Sequence, residues 1–376
     1  SVPAGTAVAR VLPPTPGVPG LTVWGEPIPP KPGHKLRLRK ETSGVDEKLR
    51  GLEEELEGVT GEEGRADLVL GPGLRYDPEK ELILAEEGGF LEIQQRRLRI
   101  HPVYTLRGDV DWNTGNIHFH GRKLTVTGSV KRGFQVEVQG DLEIRGNVED
   151  GVRIRTGGHL TVGGIVKGAG TSVEAGGNAI LNIVEQAVIK VKGNLTVTGY
   201  LLQTRAMVGG SLSVLGEKGL VGGETFVEGS GVVSVAGNPA FVRTVVRVGF
   251  SYEVAEEVYR LEREFDRLDQ LTDQMKEALV QGIRMAKEGR LSPRQKKILG
   301  RLYRVLKEKL LEMAEIKERM ASLEEELERG AMALLQITRW AYPNVLVGVG
   351  RHTLLLQKEY GPGVFALEGA RIVYRG

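Results

Sequence analysis

The sequence predicts a mainly β protein: a parallel β-helix that carries a small N-terminal β-rich domain and an antiparallel coiled-coil hairpin. Three observations predict it. Glycine is 52 of 376 residues, about twice the usual ~7%, and 28 of those glycines lie from Gly108 to Gly249. Proline is absent between Pro102 and Pro239 although the chain holds 16 of them, so a long region can form unbroken ladder bonds between tight turns. Finally, apolar residues follow three- and four-residue spacings from Val254 to Leu327, the signature of coiled-coil helices.

The elements follow in chain order. Nine of the 16 prolines fall in the first 33 residues, which makes that stretch extended and turn-rich. Strand candidates at 35–39, 81–85 and 90–93 come after it, with an acidic stretch at 45–58 suited to a short helix. Residues 1–105 read as the N-terminal β-rich domain. Next, the glycines that precede strands, Gly121, Gly140, Gly158, Gly177, Gly193, Gly210 and Gly229, recur about every 18 residues. A unit of that length cannot bury its apolar face alone, so successive turns stack into a solenoid over 106–250, about seven of them within 108–249. Alternation places Leu142, Ile144, Val152, Ile154, Leu160, Val162, Leu195, Val197, Leu212 and Val214 inside. The interleaved Glu143, Arg153, Arg155, Thr161, Thr196 and Ser213 face water.

The hairpin spans 251–340. Its seam runs through Val254, Val258, Leu261, Phe265, Leu268, Met275 and Leu279, then Leu302, Leu306, Met313, Ile316, Met320, Leu323 and Leu327, with Thr272 and Lys309 interrupting it. Between the two runs, Gly289 suits a helix C-terminus, Ser292 an N-cap, Pro293 a first helical turn, and Gln295 completes a capping box. At 1.5 Å per residue each arm is about 50 Å long. Residues 341–376 return to strand patterning and are expected to pack back on the solenoid, covering its last unpaired edge.

Composition narrows the chemistry. With 51 basic against 49 acidic residues the net charge is +2, which gives no general pull towards nucleic acid or an acidic membrane surface. There is no cysteine, which removes thiol nucleophiles, disulfides and cysteine-ligated metal sites and fits a cytoplasmic protein. No apolar run is long enough to span a bilayer. Asp109, Asp111, His118 and His120 alternate on strand faces and are the one constellation with metal-ligand chemistry, although the same residues suit a polar corner. Outward Glu143, Arg153 and Arg155 are where a carbohydrate-active β-helix enzyme would carry its catalytic groups. The aromatics that would line a glycan cleft number four between Gly121 and Val248, namely Phe134, Tyr200, Phe226 and Phe241. His159 sits on a glycine corner, and His34, His101 and His352 are scattered. GGIVKGAG (163–170) lacks the ending of a phosphate loop and reads as a corner. KLRLRK (35–40) and QQRRLR (94–99) read as half-exposed strands. The residues thus predict no catalytic, cofactor-binding or metal site, and a protein that works through its surfaces.

Five ordered motifs resemble the bacterial flagellar assembly protein A family: LPPTPGVPGLTVWGEPIPPKPG (12–33), GDVDWNTGNIHFHG (108–121), the GxVxxGFxVxVxGDLxIxGxVE repeat from Gly128, EKGLVGG (217–223), and YPNVLVGVG after the hairpin. The resemblance implies a right-handed β-helix with a coiled-coil arm, in a non-enzymatic cytoplasmic scaffold or regulator acting through protein partners. A homodimer is one expected assembly, and neither nucleic acid nor membrane insertion is expected. A polymer-forming cytoskeletal β-helix and a carbohydrate-active β-helix enzyme are the alternatives.

Overall fold

The computed structural model describes residues 1–30, 33, 36–41, 67–94, 96–329 and 332–376. The acidic stretch at 45–58, His34, Lys35 and Gln95 lie outside the described residues, as does the Leu327 side chain. Ser1–Gly177 and Asn178–Gly376 form two compact units.

The first unit opens with two small sheets. Ala7–Arg10, Leu82–Ala85 and Leu74–Asp77 pair antiparallel. Arg37–Lys40, Asp67–Leu70, Arg97–His101 and Phe90–Gln94 pair in that order. Period-two alternation turns Ile83, Ala85, Leu98 and Ile100 inward, where they join Leu70 and Leu74 in one cluster. Gly20–Leu21 pairs with Pro27–Ile28 in a short hairpin inside the proline-rich stretch. Two-residue strands carry no readable period, which is why the sequence shows that stretch as extended only.

From Val103 the chain coils. Val103–Leu106, Lys123–Val126, Asp141–Ile144 and Leu160–Lys167 stack as parallel strands in one column. Ile117–Phe119, Gln135–Val138, Arg153–Thr156 and Ser172–Ala175 form a second column. Single bridges through Val110, Val130, Val148 and Val166 mark a third face. In the second unit one column is Ala179–Glu185, Leu195–Val197, Leu212–Val214, Gly231–Ala236 and Leu335–Ala341. Another is Val188–Val191, Leu201–Val208, Leu220–Val227, Thr244–Val248 and Val345–Val349. The solenoid has about eight turns, and its coiling resumes after the hairpin with Leu335–Ala341 and Val345–Val349. All ten residues assigned to the interior are buried, each side chain contributing about 1.5–3 kcal/mol by leaving water.

Close stacking, rather than unusual dihedral angles, explains the periodic glycines. Asp109 Oδ1 accepts from the Ser129 N–H at 2.7 Å, Asp141 Oδ1 from the His159 N–H at 2.7 Å, and Asn194 Oδ1 from the Ser211 N–H at 2.8 Å. Each acceptor reaches over the glycine that precedes its donor. A Cβ on Gly128, Gly158 or Gly210 would lie 2.2, 2.2 or 2.4 Å from that oxygen. The corner pair of glycine and polar residue is thus one device repeated coil after coil: the polar side chain satisfies a backbone donor of the next coil, and the glycine makes room for it.

Two helices interrupt the coiling, α1 (Tyr252–Lys287) and α2 (Pro293–Arg329). Ser251 caps α1. At its end Gly289, at φ +71°, donates to Ala286 O at 3.2 Å while Arg290 donates to Met285 O at 3.0 Å, the Schellman pattern. Ser292 and Gln295 form the reciprocal capping box, Ser292 N–H to Gln295 Oε1 at 2.8 Å and Gln295 N–H to Ser292 Oγ at 3.3 Å. Seam residues Leu268, Met313 and Ile316 are buried together. Val258 and Leu323 pack with Phe226 and Phe250 of the coils, forming the root of the hairpin. Helix ends at Arg329, short of the sequence boundary at 340, because Leu335, Ile337 and Ala341 are buried strand residues that resume the stack. Gly231 faces Leu335 and Thr244 faces Val345, so the hairpin is an insertion between consecutive coils. After Val345–Val349, the strands His352–Leu355, Gly363–Glu368 and Arg371–Arg375 pair antiparallel over the final coil, covering the edge it would otherwise expose.

Candidate functional site

The residues singled out for chemistry are spread along the first coils. Asp109 serves the Ser129 N–H and Lys131. Those bonds, the backbone one first, hold its carboxyl below the usual range. Asp111 accepts from the Asn113 and Thr114 N–H groups in a local turn. His118 Nδ1 is 3.1 Å from Glu137 Oε2, and His120 Nδ1 is 3.1 Å from Ser1 Oγ. Among the described residues no three His, Asp or Glu side chains converge on one point. The chemistry of the four is therefore local and separate.

Outward charges stack in register instead. His118, Glu137, Arg155 and Glu174 face one another from coil to coil, with Arg155 3.0 Å from Glu174. Lys123, 2.8 Å away, and then Arg145 hold the Glu143 carboxyl below its usual range. Arg153 is exposed. Glu143 and Arg155 are thus already in partly exposed ion pairs, each worth about 1 kcal/mol or less. GGIVKGAG is not one corner: its first residues belong to the strand Leu160–Lys167, and the turn comes at Gly168, φ +111°. EKGLVGG likewise begins in a turn but enters the strand Leu220–Val227.

A groove in the second unit was not legible in the sequence. It has a volume of about 680 Å³ and is lined by Tyr200, Leu202, Val221, Val235, Trp340 and Tyr342. Its origin is the insertion. Val235 pairs with Trp340 in the resumed coil, which brings two aromatics from beyond the hairpin to the face that already carries Tyr200. The aromatic count over 121–248 therefore understated this face. Around the rim, the Tyr200 hydroxyl donates to Glu185 at 2.7 Å, a bond that raises the phenol's pKa. Lys218 Nζ sits 4.6 Å from the Tyr200 ring centre, and Arg339 is 3.3 Å from Glu217. A concave, mostly apolar surface with a few polar groups at its edge has the make-up of a ligand- or peptide-binding cleft.

The fold and these surfaces define a β-solenoid interrupted by a coiled-coil hairpin, a protein of faces and arms. Residues 102–372 match the model of the flagellar assembly protein A beta solenoid domain, and residues 1–51 match that of the flagellar assembly protein A N-terminal region. The chain belongs to the flagellar assembly protein A family, and membership implies involvement in flagellar assembly. No curated protein and no solved structure matches it. Among the described residues, no helix is long and apolar enough to cross a membrane.

Proposed function

We infer that the chain serves flagellar assembly as a cytoplasmic, non-enzymatic scaffold, and that the distal half of its hairpin is the surface a protein partner grips. One observation carries this reading. In a two-helix coiled coil the positions beside the seam are ordinarily charged, because the partner helix covers only the seam itself. Here Leu271, Ile283 and Met285 on α1 flank the seam and are exposed, as do Ile298, Tyr303, Val305 and Leu310 on α2. All lie on the loop side of the buried cluster Leu268, Met313 and Ile316. The apolar stripe there is wider than two helices can cover, whereas a third or fourth helix from a partner would cover it.

The experiment is a replacement of the chromosomal gene in the cells it comes from. Ile283→Glu with Ile298→Glu and Leu310→Glu keeps the seam intact, so the purified variant is expected to melt like the parent. Cells carrying it are expected to lose flagella or motility. Normal flagellation with a folded variant overturns the reading.

A further inference from the structure

We propose that the tip of the proline-rich segment 12–28 of one copy of this chain, with Val23 and Trp24, enters the Tyr200–Trp340 groove of a second copy. Six large apolar side chains of this short segment are exposed. Leu12, Val18, Leu21 and Ile28 are exposed, and at the tip of the small hairpin Val23 is 95% and Trp24 87% exposed. A soluble chain rarely leaves such a row uncovered. The groove supplies what would cover it. Flat proline rings and extended apolar residues pack on aromatic faces, and a chain whose φ angles proline has already fixed loses little freedom on docking. Trp340 is 49% exposed, so its ring is presented rather than buried, and the groove volume of about 680 Å³ lies in the range of binding clefts.

Charge points the same way. From Leu12 to Pro30 the segment carries one charge, Glu26. In the groove Glu217 is answered by Arg339 and Glu185 by the Tyr200 hydroxyl, which leaves the Lys218 ammonium, held over the Tyr200 ring, as the cation to receive Glu26. Segment and groove are different patches, so the contact either closes reciprocally in a two-fold pair or continues as a ring or filament. This surface is separate from the hairpin, and its test is independent of flagellation.

Sedimentation of the full chain over a range of concentrations tests it. The parent is expected to associate as concentration rises. Trp24→Ala and Trp340→Ala, both at exposed positions, are each expected to weaken association at least tenfold. An equimolar mixture of the two still contains one intact segment and one intact groove on different copies, and is expected to form a 1:1 pair. A synthetic peptide of residues 12–30 should dissociate the parent assembly. Because Trp340→Ala alters a coil strand, charge exchange gives a second route. Glu26→Lys and Lys218→Glu should each weaken association, and a mixture of these two variants should recover it. A parent that stays monomeric, association untouched by the substitutions, or mixtures that recover nothing would each overturn the proposal.

Discussion

Gly128 does not adopt a left-handed backbone, yet a methyl group on it would lie 2.2 Å from Asp109 Oδ1 and 2.5 Å from Gly108 O. Neither atom can retreat, since one bonds the Ser129 N–H and the other belongs to the coil below. Gly128→Ala is therefore expected to cost about 1–3 kcal/mol or more through overpacking. Gly300 has nothing within 4 Å of its would-be Cβ and lies inside α2, so Gly300→Ala should stabilise by up to about 1 kcal/mol through helix propensity. Thermal melts of the two variants should move in opposite directions. The corner carboxylates add a pH dependence. Asp109 and Glu143 have folded pKa values below their unfolded ones, so each contributes stability that is complete above the ordinary carboxylate range. That contribution is lost as pH falls through the lowered values. Melting midpoints followed downward from pH 6 should fall, and Asp109→Asn with Glu143→Gln should flatten part of that fall.

At the scale of elements the hairpin shows which features local spacing determines. Seam, C-terminal glycine and capping box are all short-range patterns, and each stands where the sequence puts it. Ser292→Ala removes the acceptor for the Gln295 N–H and should cost about 1 kcal/mol, a loss that helix content by circular dichroism would follow on heating. Thr272 interrupts the apolar seam in sequence but not in space. It is fully buried, its hydroxyl donating to Asp269 O one turn back at 3.0 Å and lying 3.6 Å from Met313 Sδ. The coils are legible for the same reason as the seam, because alternation along LEI and RIRT sets which residues point inward. The groove is not, since Tyr200 and Trp340 become neighbours only through stacking across an insertion. Nothing near Trp340 in the sequence announces that the strand it lies on continues a column broken off at Ala236. Only the register of Gly231 with Leu335 reveals it.

For the molecule as a whole, the insertion separates what folds from what reaches. The coils before and after the hairpin hold each other directly, through the parallel pairing of Gly231–Ala236 with Leu335–Ala341 and of Thr244–Val248 with Val345–Val349. Leu335, Ile337, Val345 and Val347 complete the interior there. Among the described residues, the hairpin packs against the coils through Val258 and Leu323, which meet Phe226 and Phe250. Arg247, whose guanidinium lies 3.5 Å from the Phe250 ring centre and bonds Gly350 O at 2.9 Å, stays among the coils when the helices go. Replacing residues 253–329 by a short Gly/Ser linker should therefore leave the solenoid folded, at a cost set mainly by baring Phe226 and Phe250. With two large side chains half uncovered, that cost is about 1.5–3 kcal/mol each at most, within the reach of a solenoid whose interior is otherwise unbroken. The deletion variant is expected to show one cooperative, β-type melt a few degrees below that of the parent. Restoring polarity at the exposed site, by Phe226→Thr, should recover solubility without restoring the hairpin. A deletion variant that never folds would mean that the helices organise the coils on either side of them, and that the hairpin is part of the body rather than an arm attached to it.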